Sequence, residues 1–329
     1  MAVAPPLRRG RAVVGAEGFL AGACAWALIS AAVAGGNPVP MIGVIAASGA
    51  SLAAGFAVSR TRPWVVPAIV LAAAGIVAAA AGSEITSALP TKGPFGYANA
   101  TGSFYVQAVV AGLMLAAAVP RPWRWVGFVG AAAAAVVVVA NGSTAARVLL
   151  VLVAAGAAVA LTGARRPVAI GLGALSAIAL VGTLAVGVAS DPFAGGVPGS
   201  GVFDATRKAL WNEAVGNMTE HPIVGVGPGG FAEAAPSRLI DTGLGKAHNG
   251  FLQIGAETGV VGMGLVVLAF GWLFASVAGR SDPILLAVLG TLALAAFAVG
   301  ACVDYLMHFP GIPVTAAALA GTAMSQLDA

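Results

Sequence analysis

Ten apolar runs, each about long enough to cross a bilayer, leave this chain little choice of architecture. They fall near 12–34, 39–58, 64–82, 98–119, 123–140, 147–163, 168–189, 257–278, 283–303 and 311–327. A hydrocarbon core about 30 Å thick needs roughly 20 residues of helix, and a helix satisfies its own backbone groups where no water can do so. Only 9% of the 329 residues are charged and 59% are hydrophobic, whereas a soluble domain carries roughly a quarter charged residues. The expected fold is an all-α polytopic membrane protein with about ten transmembrane helices. Segments such as 131–140 and 151–160 are rich in Ala, Gly and Val, which lets helices approach closely in lipid.

The connections alternate in charge. Arg8, Arg9 and Arg11, then Arg60 and Arg62, Arg121 and Arg124, Arg165 and Arg166, and Arg280 occupy every second one, and the positive-inside rule assigns these to the cytoplasm. Glu84, Asp191, Asp204, Glu213, Glu220, Glu233, Asp241 and Asp304 fall in the others. Both termini are then expected in the cytoplasm. Met1 to Ala34 resembles a secretory signal, but the charge alternation requires an uncleaved first span. Three regions follow: a seven-span part over 1–189, an extracytoplasmic loop with a partly helical segment over 190–256, and a three-span part over 257–329. Cys24 and Cys302 lie in separate apolar runs, so no disulfide framework is expected.

The long loop before the last three spans concentrates the polar chemistry. Within it, Leu210, Trp211, Val215 and Met218 recur at helical spacing. A helix opening at Asp204 or Thr206 would lie in the interface with Trp211 at headgroup depth and Lys208, Asn212 and Glu220 toward water; a plain surface helix is the alternative. Pro222 ends it, and glycines at 225, 227, 229 and 230 permit tight turns. The loop re-enters the membrane through His248-Asn249, nine residues, then Gly259-x-x-Gly262.

That last pattern resembles the signature of the O-antigen ligase and polymerase family. Arg207-Lys-Ala-Leu-Trp211, His221-Pro222 and Gly225-Val-Gly227-Pro-Gly-Gly230-Phe231 are similar to the family's other loop elements, in the same order. Asn141-Gly-Ser143-Thr-Ala-Ala-Arg147 resembles its Ser-Arg-Gly at a helix entrance, with Thr144 in place of the arginine and Arg147 three residues on. Gly93-Pro-Phe-Gly-Tyr-Ala-Asn99 is similar to its Asn-containing loop. The resemblance implies a GT-C-like fold and transfer of a glycan from a polyprenyl-diphosphate carrier to a glycan, lipid or protein acceptor, at the outer face of the bacterial cytoplasmic membrane. Membrane lipids would be its surroundings.

The residues suit that reaction. A sugar diphosphate already holds a leaving group, so the protein must supply cations where negative charge develops. Guanidinium binds phosphate oxygens in pairs and stays charged. Arg207 and Arg147 are therefore candidates for the diphosphate, with Lys246, Lys92, Lys208 and Arg238 as further ones. His248 is the candidate base for an acceptor hydroxyl; a structural histidine is the competing reading. Asn249 would orient His248 or a sugar hydroxyl, Trp211 would border the substrate, and Glu257 would hold the loop or the imidazole. Asp304, an ionisable group at the edge of a span, is costly to place there. His221 reads as structural, and His308 as interfacial or cavity-lining.

Three scattered histidines offer no metal-ligand spacing, and no nucleotide-binding loop is present, so neither metal nor cofactor is expected. No basic aromatic surface suits nucleic acid. Two readings from other classes stay open: a transporter or flippase of a lipid-linked glycan, which would show repeat symmetry and mid-membrane charges, and a membrane scaffold.

Overall fold

In a computed structural model the described residues are 11–86, 93–190, 205–235, 245–281 and 284–327. The apolar runs become helices α1 (Arg11–Ala34), α2 (Val39–Ser59), α3 (Val65–Ala81), α4 (Ala98–Ala118), α5 (Arg124–Ala140), α6 (Thr144–Leu161) and α7 (Arg165–Ala189). The loop contributes α8 (Ala205–Glu220) and the single turn α9 (Phe231–Ala234), and the chain closes with α10 (Gly250–Ala278), α11 (Leu285–Val303) and α12 (Gly311–Ser325). Among the described residues, nine helices are long and apolar enough to cross a membrane, and α12 is a shorter apolar helix of 15 residues. The all-α polytopic fold is as expected. Lys92, Asp191, Asp204, Arg238 and Asp241 lie outside the described residues, as do Arg8 and Arg9.

Two helices, α4 and α11, are buried on nearly every side and form the axis of the bundle. The others turn Val14, Ile69, Val148 and Val181 outward, the surface that hydrocarbon would cover. Helices from the two ends of the chain pack against each other. Trp26 Nε1 of α1 donates to Thr258 O of α10 at 2.8 Å, and Ser59 of α2 bonds Thr322 of α12 at 2.9 Å. The α2–α12 pair touches backbone to backbone: a Cβ on Gly55 would strike Ala318 O, and one on Gly321 would strike Leu52 O. Small residues bring the two axes this close, as packing in lipid favours.

Helix α8 departs from the interfacial position expected for it. Its stripe of Leu210, Trp211, Ala214 and Val215 packs on Phe231, Ala247, Leu252 and Ala256, and Trp211 is 0% exposed. Trp211 is thus inside the protein and not at headgroup depth, because α7 and α10 supply an apolar face that removes more of the indole from water than an interface would. Lys208 and Glu220 remain exposed, as the periodicity predicts, whereas Asn212 is half-buried and donates to Gly187 O of α7 at 2.9 Å.

Candidate active site

One end of the bundle gathers the starts of α4, α6, α10 and α12 and the ends of α5, α7 and α11. The opposite end carries the described connections with Arg60, Arg62, Arg121, Arg124, Arg165, Arg166 and Arg280.

The site is built from the cap of α10. Asn249 is extended, at φ −156°, and its Oδ1 accepts from Leu252 N at 3.0 Å, a standard N-cap. Its Nδ2 donates to Cys302 O at 2.5 Å and Thr183 Oγ1 at 3.0 Å, which pins the cap to α11 and α7. Asn249 is 0% exposed, so it orients the chain and presents nothing to a substrate. The residue before the cap, His248, lies at φ +49°, the one positive φ on a non-glycine among the described residues. Such a conformation costs about 1–3 kcal/mol and persists where surrounding contacts over-determine it. Here they include Trp211 Nε1, which donates to His248 O at 3.2 Å. Trp211 therefore supports the His248 backbone.

The strained backbone aims the imidazole at Asp304. Nδ1 of His248 lies 3.3 Å from Asp304 Oδ1, close but not aligned as a straight hydrogen bond. Catalytic hydrogen bonds in unliganded sites are often of this kind and tighten with substrate. The Nδ1 atom is buried while the side chain is 16% exposed, so the exposed part of the ring lies away from Asp304. Asp304 itself is 1% exposed. Its Oδ2 accepts from Tyr97 Oη at 2.7 Å and Asn99 Nδ2 at 2.6 Å, and its Oδ1 from Tyr305 N at 2.8 Å. Arg207 Nη2 stands 4.0 Å from Oδ2, its side chain 14% exposed.

Burial alone would raise the Asp304 carboxyl; His248, Arg207 and the Tyr97 hydroxyl outweigh it and hold the group below the ordinary carboxylate range. Burial and the Asp304 charge push Tyr97 up, and Tyr305 up to about 12. Both phenols stay protonated, so Tyr97 remains a donor to the carboxylate. The rings of Tyr97, Tyr305 and Phe309 stack beside it, and His248 meets Tyr305 edge-on at 4.7 Å.

A second layer fixes Asn99. Ser143 Oγ donates to Asn99 Oδ1 at 2.6 Å and accepts from Ala146 N as the N-cap of α6. Asn141 Nδ2 ties to Ala98 O at 2.7 Å. The Asn141-Gly-Ser143 stretch thus reaches the site through Asn141 and Ser143. Arg147 is exposed, and both of its hydrogen bonds go to Val139 O at the end of α5. It is not joined to the Asp304 cluster, because position 147 is one residue round from the inward-facing Ala146 and so points outward.

The glycine-rich turn is a packing device. Val226 N donates to Ala256 O and Val260 N to Pro222 O, so the turn is stitched to α10 on both sides of a break at Gly259, where φ is +70°. A Cβ on Gly259 would collide with Ile223 O, and one on Gly225 with the backbone of Glu257. Glu257 accepts from Gly229 N, Phe231 N and Gln253 Nε2, which anchors the turn as a loop-holding carboxylate. Gly259→Ala is expected to destabilise by about 3 kcal/mol or more, from strain and overpacking together, read as a lower melting temperature in detergent.

Lys246 faces a separate group. It borders, with Gln253, Glu257 and His308, the mouth of a cavity of about 380 Å³ that runs down α10. Gln253 joins this group to the site: its Oε1 accepts from Ala247 N, and its Nε2 lies 3.2 Å from His308 Nε2. Burial first, then Lys246, push His308 down to about 4. Below its ordinary value of 6.5 the unfolded chain takes up a proton that the folded protein refuses, so stability falls as pH drops from about 6.5 to about 4. Because His308 is exposed as a residue, solvent screening keeps the expected loss well below that of a fully buried imidazole; it is absent from His308→Gln, and melting curves across that range test it.

Asp304, Tyr97, Asn99 and Ser143 received no role from sequence, although Asp304 carried a signal in its position at the edge of a span. These features define a class: a polytopic membrane protein whose polar centre is a buried aspartate flanked by histidine and arginine at one end of the bundle. The profile of the O-antigen ligase family matches residues 95–267, just over half of the chain, and the chain belongs to that family. Membership implies glycan transfer of the O-antigen ligase or polymerase type, with lipid-linked glycan and acceptor as partners in a membrane. No curated protein matches the chain.

Proposed function

We propose that this protein transfers a glycan from a polyprenyl-diphosphate carrier to an acceptor hydroxyl, with inversion and without a metal, at the extracytoplasmic face of the bacterial cytoplasmic membrane. The observation that carries the reading is the placement of His248 Nδ1 and Arg207 Nη2 against opposite oxygens of the buried Asp304. With its Nδ1 proton directed to Asp304, His248 has Nε2 left to accept the proton of the acceptor hydroxyl. The freed oxygen attacks the anomeric carbon, the carbon–oxygen bond to phosphate breaks, and the electron pair leaves on the diphosphate. Arg207 receives that charge. A guanidinium supplies here what a divalent cation supplies elsewhere. The charge alternation of the connections supports an extracytoplasmic site and cytoplasmic termini.

Lys246, one residue from the segment that holds His248, is assigned to substrate contact in the cavity. Arg147 is assigned to the outer approach of the donor, beyond the Asp304 cluster.

The test is purified protein with a synthetic polyprenyl-diphosphate oligosaccharide and a panel of acceptors, read as release of lipid diphosphate. Arg207→Ala is expected to lose at least tenfold in kcat/KM for the donor, and Arg207→Lys to restore only part of it, because an ammonium lacks the paired geometry. Donor binding without release under any acceptor would favour a transporter.

A further inference from the structure

The end of the bundle opposite the site holds a separate cavity of about 460 Å³. Its floor is Ala116 of α4, Ala157 of α6, and Leu286 and Leu289 of α11, all buried. Its mouth is Arg124 and Phe128 of α5, Leu161 of α6 and Ile284 just before α11, all exposed. The small side chains of Ala116, Ala117 and Ala118 leave the room for it. Helices α5 and α6 are joined at the far end of the bundle, through residues 141–143; at this end the cavity lies between Phe128 of one and Leu161 of the other. Both belong to the outward apolar surface, so the cavity opens toward lipid.

Its depth is that of a headgroup. From Ala118 to Leu113 the lining follows α4 for about 8 Å, and from Leu285 to Leu289 it follows α11 for about 6 Å. That is the level of a lipid's phosphate, glycerol and first methylenes, not of a whole hydrocarbon chain. Trp64, Trp123 and Trp125, exposed by 43%, 61% and 59% at this same end, mark the level of the membrane interface. Charge then selects the headgroup. Arg124 is the one charged residue of the lining, Arg62 precedes its Pro63, and Arg121 stands one turn before Arg124, whose N–H donates to Arg121 O. Among the described residues the connections at this end hold no carboxylate. The other polar residue of the lining is Gln326; its Nε2 donates to Ser59 O at 3.2 Å, and an amide adds hydrogen-bonding capacity without charge. A zwitterionic headgroup would bring its own cation against these guanidiniums, whereas a glycerol headgroup with one phosphate charge brings none. A free phosphate ester would gain nothing from the apolar floor.

We propose that this cavity binds one anionic phospholipid of the leaflet at that end, its phosphate on the Arg124 guanidinium and its glycerol and upper acyl chains against α4, α6 and α11. The charge alternation makes that leaflet the cytoplasmic one. The lipid would sit at the far ends of the two axial helices, α4 and α11, whose other ends carry Asn99 and, next to Val303, Asp304. It ties those ends to α5 and α6 and stabilises the folded bundle by mass action. The assignment uses no residue of the Asp304 cluster and stands independently of the transfer reading.

The test uses the full chain in phosphatidylcholine nanodiscs that carry a minor share of phosphatidylglycerol with a diazirine at the glycerol end of its acyl chain. Cross-links are expected near Phe128, Leu161 and Leu285. Labelling should fall roughly fivefold or more in Arg124→Gln, which removes the charge at an exposed position, and in Ala117→Trp, which fills the room. Arg124→Lys should keep about half of it or more, because an ammonium also binds phosphate. Arg11→Gln, at the same end on α1 but outside the lining, should change it less than about twofold. Unlabelled phosphatidylglycerol should compete, whereas phosphatidylethanolamine and soluble glycerol phosphate should not. In detergent, phosphatidylglycerol should raise the melting temperature of wild type by about 3 °C or more and leave that of Arg124→Gln within about 1 °C. Undiminished labelling in Arg124→Gln, or an equal fall in Arg11→Gln, would reduce the effect to general attraction by a basic surface and overturn the assignment. Competition by phosphatidylethanolamine, competition by glycerol phosphate, or equal melting shifts in wild type and Arg124→Gln would overturn it as well.

Discussion

Replacing His248 with alanine is expected to lower kcat for glycan transfer by about 10²–10⁴, the range a positioned general base contributes. The imidazole is paired with a buried carboxylate through Nδ1, so no neighbouring group is set to take over the acceptor proton. The substitution also changes a residue held at φ +49°, and a local rearrangement would mimic a catalytic defect. His248→Asn controls for this, because asparagine tolerates the left-handed region better than most residues. Both variants should melt within a few degrees of wild type and both should be nearly inactive. Full activity in either one, measured as lipid diphosphate released per enzyme, would remove His248 from the reaction.

Asp304→Asn should lower kcat by a comparable factor, since an amide in place of the carboxylate no longer selects the tautomer with its proton on Nδ1. A loss of about 10⁴ is known where the aspartate of a hydrolase triad is changed in this way. The sign of the second effect separates positioning from simple damage. Asp304 and the donor diphosphate both draw on Arg207, 4.0 Å from Oδ2. Without the carboxylate the guanidinium meets less competition, so KM for the donor should stay level or fall while kcat collapses. A general loosening of the fold would raise KM instead. Stability should also fall, because Tyr97, Asn99 and Tyr305 N all donate to this one side chain and a neutral acceptor answers them less well.

Several parts of the site were legible before any coordinates. The order Arg207, His248-Asn249, Gly259 pointed to the segment that gathers beside Asp304, and the apolar runs located the helices to within about three residues except α10, which begins at Gly250, seven residues before the run near 257–278. Asp304 drew suspicion as an ionisable group at the end of a span, but its pairing with His248 joins residues 56 apart, and no local pattern encodes that. Arg147 shows what helix rotation adds. A shift of three residues along a helix was expected to be tolerable, yet it turns the guanidinium toward Val139 and the outside of α5. Trp211 repeats the lesson. Helical spacing marked its face as apolar, and only packing on α7 and α10 showed that the apolar surroundings were protein.

What the sequence by itself determined is the all-helical membrane-spanning architecture, the rough limits of most of its helices and the alternation of charge in their connections. Hydrocarbon cannot hydrogen-bond, so length, apolarity and charge placement are enough to dictate those features. What only the tertiary structure decided is which of the polar groups meet. The glycines at 225 and 259 became close backbone contacts between the turn and α10, Asn249 became a buried cap, and Asp304 became the partner of His248. Each outcome depends on how helices distant in sequence rotate and approach one another, and that is set by side-chain packing across the whole bundle.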